Sequence, residues 1–145
     1  METAKPLPTP FIDLLSEKPA DMVTCFHQLR AMMLEIYPET NELLYNTHAL
    51  VVAYSLSDKM KHTYCHLALY SKSFNLGFNK GTLLDDVEGV LHGSGKLIRH
   101  IPITSADVIQ KPSTNEMIMQ ALAKALVDLK EEPKMKGQII SKLKG

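Results

Sequence analysis

The middle of the chain alternates between apolar and polar residues, and this period of two constrains the fold more than any other feature. In residues 61–70 (KHTYCHLALY) and 73–78 (SFNLGF), the alternation is typical of extended strands. One face of these strands carries Cys65, Leu67, Leu69, Phe74, Leu76 and Phe78. The opposite face carries Tyr64, His66, Ala68, Tyr70, Asn75 and Gly77. An apolar run at 50–53 and the segment IRHIPI at 98–103 predict further strands, and short connections favour antiparallel pairing.

Helical patterns flank the strands on both sides. A short helical turn is predicted for residues 11–17, followed by a helix from Asp21, its expected N-cap, to Tyr37. After the strands, the segment PSTNEMIMQALAKALVDLKEE predicts a second long helix, and Ser113 and Glu116 have the spacing of a capping box. The order helix, strands, helix predicts an α+β two-layer sandwich. Its antiparallel sheet is flanked on one face by an N-terminal and a C-terminal helix.

The predicted domain spans residues 11–132, between two short terminal segments. Residues 1–10 contain three prolines and are predicted to form an extended arm. Residues 133–145 contain four lysines, with Met135, Ile139 and Leu143 spaced by four. This basic tail is predicted either to form an amphipathic helix or to be a docked or frayed terminus.

The charge balance and the cysteine count limit the classes of partner. Sixteen basic and sixteen acidic residues give a formal net charge of zero, so we expect no nucleic-acid partner. No apolar run reaches the length of a membrane span, and the first residues lack the apolar core of a signal peptide. Cys25 and Cys65 lie in apolar patterns and are expected to be reduced and buried. These features together predict a cytoplasmic protein.

A glycine-rich segment, LHGSGKLIRHI (residues 91–101), provides the first candidate site. Its spacing fits neither the nucleotide P-loop nor the dinucleotide fingerprint. The remaining hypothesis is an anion-binding nest with a nearby cation and a histidine. The residues assigned to it are Gly93, Ser94, Gly95, Lys96, Arg99 and His100. The alternative is a plain glycine turn with Arg99 paired to a structural acid. Arg99 and His100 should also point to opposite faces of their strand.

The uncovered face of the sheet provides the second candidate site. Tyr64, His66, Tyr70 and Asn75 are assigned to it, with His100 as a possible fifth member. Such a face is either a ligand or partner surface or an ordinary solvated face. His62 and His66 lie roughly 13 Å apart on a strand, so no metal site is predicted there, and no cofactor is predicted. No activated cysteine or serine was identified, and the acids Asp85, Asp86 and Glu88 are interpreted as a cap.

Residues 67–101 resemble the YdhG-like family of small bacterial domains of unknown function. The elements NLGF, a glycine, an Asp-containing turn, L-x-G-S-G-K and R-H-I follow in that order, and the resemblance covers residues 11–131. It implies a compact α+β domain with a frataxin-like layout. The family often has Asp-Pro in the turn, where this chain has Asp85-Asp86-Val87. Some relatives handle iron, but the first long helix offers only Asp21 and Glu35, so this role is not transferred.

Three functional hypotheses follow. The leading one is a non-enzymatic module that binds an anionic small molecule or an acidic group of a partner. The second is an enzyme that uses His100 or His66 as acid and base. The third is a module for self-association, as a homodimer through the open sheet face, or for iron handling.

Overall fold

A computed structural model describes residues 5–143 of the chain. Within that range, helices and strands form one α+β unit. The helices are α1 Thr9–Leu15, α2 Ala20–Ile36, α3 Ala106–Gln110 and α4 Pro112–Leu129. The strands are β1 Asn41–Asn46, β2 Leu50–Ser55, β3 Thr63–Leu69, β4 Phe74–Phe78, β5 Arg99–Pro102 and β6 Ile139–Ser141.

The strands form one sheet in the order β5-β4-β3-β2-β1-β6. Strands β1 to β5 pair antiparallel with their neighbours, as the short connections between them predict. Strand β6 pairs with β1 in parallel, so the sheet as a whole is mixed. The predicted α+β class is confirmed, and β6 is an edge strand that the sequence analysis did not include.

The helices pack against one face of the sheet. A row of directly paired side chains crosses five strands on that face: Leu44, Val52, Leu67, Leu76 and Ile101. These residues share one hydrophobic cluster with Phe26 and Leu29 of α2 and Ile118 and Leu122 of α4. Each such large apolar side chain stabilises the fold by about 1.5–3 kcal/mol when it is fully buried. The alternation in the sequence therefore predicts correctly which face of the sheet packs against the core.

The opposite face of the sheet carries a different set of residues, here called the open face. Two rows of paired residues cross it. The first row is Leu43, Ala53, His66, Gly77 and His100. The second row is Tyr45, Val51, Ala68, Asn75 and Pro102. His66, Asn75 and His100 are partly exposed, whereas Leu43, Ala53, Ala68 and Gly77 of the same rows are buried, so only part of this face is uncovered.

A buried ion pair joins α2 to the edge of the core. The Arg30 guanidinium donates two hydrogen bonds to the Glu42 carboxylate, at 2.9 and 2.8 Å. The Tyr54 hydroxyl donates a third to the same carboxylate at 3.0 Å. Both charged side chains are almost fully buried. The network fixes the position of α2 on the sheet, because each polar atom has a partner only in this arrangement.

The end of the chain docks onto β1 through a single buried side chain. The Asn41 amide donates to the carbonyl oxygens of Ser55 and Met135, at 3.2 and 3.0 Å. Its oxygen accepts a hydrogen bond from the backbone N–H of Gln138 at 3.0 Å. The prediction of an amphipathic tail helix is wrong, and docking of the tail is correct for the residues described. Residues 1–4 of the predicted arm and residues 144–145 of the tail lie outside the described range.

The helix starts differ from their predicted form. Pro19 holds the N-cap position of α2, and Asp21 lies within the first turn. Lys111 holds the N-cap position of α4, and Ser113 is a buried residue inside the helix. Both predicted caps are therefore wrong, because proline at or just before the first helical position supplies the required backbone angle without a side-chain cap. No helix within residues 5–143 combines the length and hydrophobicity that a bilayer crossing requires.

Candidate ligand-binding site

The predicted nest, residues 93–98, is the turn of a small hairpin. His92 and His100 exchange two backbone hydrogen bonds, at 2.8 and 2.9 Å, and the turn lies between them. Gly93 has a φ of +125°, which favours glycine at this position. The exposed side chains of Ser94 and Lys96 lie on this turn.

The Arg99 guanidinium is engaged by this same turn. It donates to the carbonyl oxygens of Gly95 and Ile98. Thr82 donates to two further carbonyls of the turn, those of Lys96 and Leu97. The Arg99 guanidinium is therefore paired with backbone carbonyls. The alternative prediction, that Arg99 pairs with a structural acid, is wrong. An anion on the turn would have to compete with these bonds for Arg99.

Arg99 and His100 point to opposite faces of β5, as the strand geometry predicts. Arg99 aligns with Phe78 on the helix side, and His100 aligns with Gly77 on the open face. The structure therefore divides the six residues of the predicted nest between two surfaces. A single site containing both side chains is not formed.

On the open face, His66 and His100 lie in one row with Gly77 between them. A Cβ atom at Gly77 would lie 2.0 Å from the His66 Nε2 atom, so the ring needs a glycine beneath it. The His66 Nδ1 atom and the Asn79 side-chain oxygen are 2.8 Å apart. Because that oxygen only accepts hydrogen bonds, Nδ1 donates and the neutral ring keeps a free lone pair on Nε2.

Both open-face histidines favour the neutral form. Burial lowers the pKa of His66 below its ordinary value; the bond to Asn79 opposes this, and His100 adds to the lowering. Burial also lowers the pKa of His100, and the nearby His92 lowers it further. A neutral imidazole at neutral pH is able to accept a proton, but none of the three cavities described below is lined by either ring.

The other two residues assigned to the open face have different positions. Tyr70 is 40% exposed, just past the end of β3. Tyr64 is only 4% exposed and belongs to the hydrophobic core, so its assignment to the open face is wrong. The register shifts between Tyr54 and Ser55, which leaves Tyr64 as an extra residue on β3. Such a bulge interrupts the alternation and turns the ring inward.

Three cavities are found, and the most enclosed lies between α4 and the start of β3. Its volume is about 160 Å³. Its apolar lining is formed by Leu56, Tyr64, Leu84, Ala121, Ala125 and Leu129. Its polar lining is formed by Lys61, His62, Thr63, Lys80, Lys124 and Asp128. We refer to this cavity as the α4 pocket.

The polar groups of the α4 pocket are mostly cationic. Three lysines contribute to it, against one carboxylate, Asp128. The Asp128 carboxylate lies 3.2 Å from the Lys80 Nζ atom and 3.5 Å from that of Lys124. The hydrogen bond from Lys80 lowers the pKa of Asp128, so this acid stays ionised at neutral pH. Among residues 5–143, Lys61 forms no ion pair with a carboxylate.

Tyr64 and His62 line the same pocket with side chains that are held by hydrogen bonds. The Tyr64 hydroxyl donates to the Thr40 side-chain oxygen at 2.8 Å, and burial raises the pKa of this phenol far above its ordinary value. The ring therefore acts as a neutral apolar surface. The His62 Nδ1 atom lies 2.7 Å from the Ser57 hydroxyl oxygen, which fixes the orientation of the imidazole.

Sequence analysis missed the α4 pocket because its members are distant in the chain. Lys61 lies in a short 3-10 helix, Lys80 in the turn after β4 and Lys124 in α4, and each resembles an ordinary surface lysine. The spacing of Lys124 and Asp128 predicts an i,i+4 ion pair, but such pairs are common on solvent-exposed helices and do not indicate a binding site. Only the packing of α4 against β3 brings the three cations together.

The described part of the chain contains no metal site with three or more protein ligands. Within residues 5–143, three or more His, Cys, Asp or Glu side chains nowhere gather closely enough to hold an ion. Cys25 and Cys65 are both buried and free, and burial raises the pKa of each thiol.

Comparison with known proteins found no matching family model, no matching curated protein and no matching solved structure. The resemblance to the YdhG-like family therefore stays a prediction from residues 67–101.

Proposed function

We propose that the protein is a non-enzymatic binding module that holds a small amphipathic anion in the α4 pocket. One observation carries this proposal: an apolar hollow on a chain with zero net charge is edged by three lysines and one carboxylate. An apolar floor with a cationic edge suits a ligand that has an apolar body and an anionic end.

The size of the pocket limits the apolar part of the ligand. A cavity of about 150 Å³ lined by apolar side chains accommodates a benzene ring. The α4 pocket has a volume of about 160 Å³, so one aromatic ring or a chain of about six carbons fits. The lysines then contact a carboxylate, phosphate or sulfonate group at the mouth, as point charges without the directional geometry of arginine.

The groups that line the pocket are better suited to binding a ligand than to catalysing a reaction. Lys80 and Lys124 are partly exposed and paired with Asp128, and Tyr64 is held in its neutral form. General acid–base catalysis favours a group that changes protonation near neutral pH within reach of the substrate. His66 and His100 lie on the open face, and the imidazole that does line the pocket, that of His62, is held through its Nδ1 atom by the Ser57 hydroxyl at 2.7 Å.

Isothermal titration calorimetry with four small probes tests the proposal. Phenylacetate and phenyl phosphate have a ring and an anion, inorganic phosphate lacks the ring, and benzylamine reverses the charge. We expect the first two to bind with a Kd of about 0.1–1 mM, which is about 0.5 kcal/mol per non-hydrogen atom for phenylacetate. We expect inorganic phosphate and benzylamine to bind at least tenfold more weakly.

Matched variants locate the binding. Lys61→Ala and Lys124→Ala should each weaken phenylacetate binding about fivefold, as expected for one partly exposed ionic contact. Ala125→Phe should abolish binding, because the added ring occupies the apolar floor. Lys111→Ala removes an exposed lysine just before α4 and outside the pocket, and should leave the affinity unchanged. Wild-type affinity in all of the three pocket variants would disprove the proposal.

The other functions predicted from the sequence stay predictions. For catalysis by His100 or His66, neither ring lines any of the three cavities described above. Self-association through the open face would use the rows that contain Tyr45, Val51 and Asn75. Light scattering over a concentration series distinguishes a dimer of this kind from a monomer that binds a small molecule.

A further inference from the structure

The edge of the open face brings two histidines together. His92 and His100 are directly opposite in an antiparallel pair, which places their side chains on the same side of the sheet. The centroids of the two imidazole rings are 6.0 Å apart. His92 is exposed and His100 is partly exposed, so both rings are accessible from solvent.

This separation is compatible with a shared metal ion. A Zn(II) ion lies about 2.0–2.1 Å from the nitrogen of each histidine ligand. In a tetrahedral site, the centroids of two rings bound to one ion are then roughly 5 Å apart. The observed separation of 6.0 Å is somewhat longer, so the two rings must rotate toward each other to share an ion.

We propose that His92 and His100 form a two-ligand site for a late divalent transition metal such as Zn(II) or Cu(II). Water or an anion fills the remaining coordination positions, since no third protein ligand of the described residues lies close enough.

The Gly93 turn supports the site from one side. A Cβ atom at Gly93 would lie 3.7 Å from the His100 Nδ1 atom, so the turn closes directly beside this ring. His66 lies in the same row across Gly77 and donates its Nδ1 proton to Asn79, but the three histidines do not gather closely enough to form a three-ligand group. The proposal therefore assigns His66 no ligand role, and a variant at this position tests that point.

Titration of the full chain without a polyhistidine tag tests the site, with Zn(II) in calorimetry and Cu(II) in electron paramagnetic resonance. We expect one bound ion per chain and nitrogen couplings from two imidazoles in the Cu(II) spectrum. His92→Ala and His100→Ala should each weaken binding at least tenfold. His48→Ala, an exposed histidine in the turn after β1, should bind as the wild type does, and so should His66→Ala.

Two outcomes would overturn the proposal. The first is wild-type affinity in both His92→Ala and His100→Ala. The second is an equal loss of affinity in His48→Ala, which would indicate nonspecific coordination. Because His92 is exposed, circular dichroism should show that His92→Ala keeps the wild-type fold. Lys124→Ala is expected to weaken anion binding in the α4 pocket and to leave the metal affinity unchanged. The anion-binding proposal and the metal-site proposal can therefore fail independently of each other.

Discussion

At the scale of single residues, the Asp128 carboxylate competes with any anionic ligand of the α4 pocket. It lies within 4 Å of both Lys80 and Lys124, which are two of the three cations available there. Replacing it with a neutral amide of the same shape releases both lysines. We therefore expect Asp128→Asn to bind phenylacetate severalfold more tightly than the wild type, as measured by calorimetry. Unchanged or weaker binding would show that these lysines do not contact the anion.

The buried pair of Arg30 and Glu42 gives a second residue-scale prediction. Glu42→Gln leaves the Arg30 charge buried without its counter-ion, which costs about 3–5 kcal/mol. The midpoint of urea unfolding should fall accordingly. Glu39→Gln is the matched control, because Glu39 pairs with Lys136 at an exposed position, and its midpoint should equal that of the wild type. A small effect of Glu42→Gln would show that the pair does not hold α2 in place.

Residue identity alone did not reveal these roles. Arg30 lies beside the apolar stripe of α2, where charged residues are normally exposed. Its partner is twelve positions away and on a different element, so no local spacing connects the two. Tyr64 was misplaced for a related reason: the bulge opposite Tyr54 and Ser55 has no signature in an alternating sequence.

At the scale of elements, strand β6 depends on the Asn41 side chain. Asn41→Ala removes two hydrogen bonds that hold residues 135–138 beside β1, together with one to the Ser55 carbonyl of β2. Amide exchange measured by NMR should then accelerate for Glu42 and Lys142, whose N–H groups bond across the β1 and β6 edge. The amides of Leu67 and Leu69 at the centre of the sheet are the internal control and should keep their protection. Uniform acceleration would instead indicate global destabilisation.

The elements themselves were largely predictable, and the exceptions have physical causes. Strands β3 and β4 follow directly from alternation, because one of their faces carries the large apolar core residues and the other carries His66, Ala68, Asn75 and Gly77. Strand β6 has only three residues within a lysine-rich tail, and it exists because Asn41 and the edge of β1 offer it partners. Such a strand has no pattern of its own to recognise.

At the scale of the whole molecule, the two open-face histidines make stability depend on pH. The pKa values of His66 and His100 are lowered in the folded state, so folding favours their neutral forms. Their contribution is complete above the ordinary histidine pKa of about 6.5 and is lost as the pH falls through the folded values. Each group contributes a slope of at most about 1.4 kcal/mol per pH unit.

Urea unfolding at pH 7.5 and pH 5.5 measures this effect. The free energy of unfolding of the wild type should be lower at pH 5.5. In His66→Gln, which cannot take up a proton, the decrease between the two pH values should be smaller. An equal decrease in both proteins would show that His66 does not contribute to the pH dependence.

The α4 pocket is also a property of the whole molecule, and for this reason the sequence did not predict it. Its cations come from segments up to 63 positions apart, since Lys61 and Lys124 face the same cavity. The residues of the predicted nest are, in contrast, close together in the sequence and of types that bind anions. In the folded hairpin, however, Arg99 donates its hydrogen bonds to backbone carbonyls.

Mapping a bound ligand on the chain tests the account most directly. Backbone amide chemical shifts should be recorded by NMR during a titration with phenylacetate. We expect the largest shifts around the α4 pocket, at Lys61, Tyr64, Lys124 and Ala125, with the Gly93–Lys96 turn unperturbed. Shifts concentrated in that turn or in the open-face row of His66 and His100, or an absence of shifts at saturating ligand, would contradict the assignment of the site.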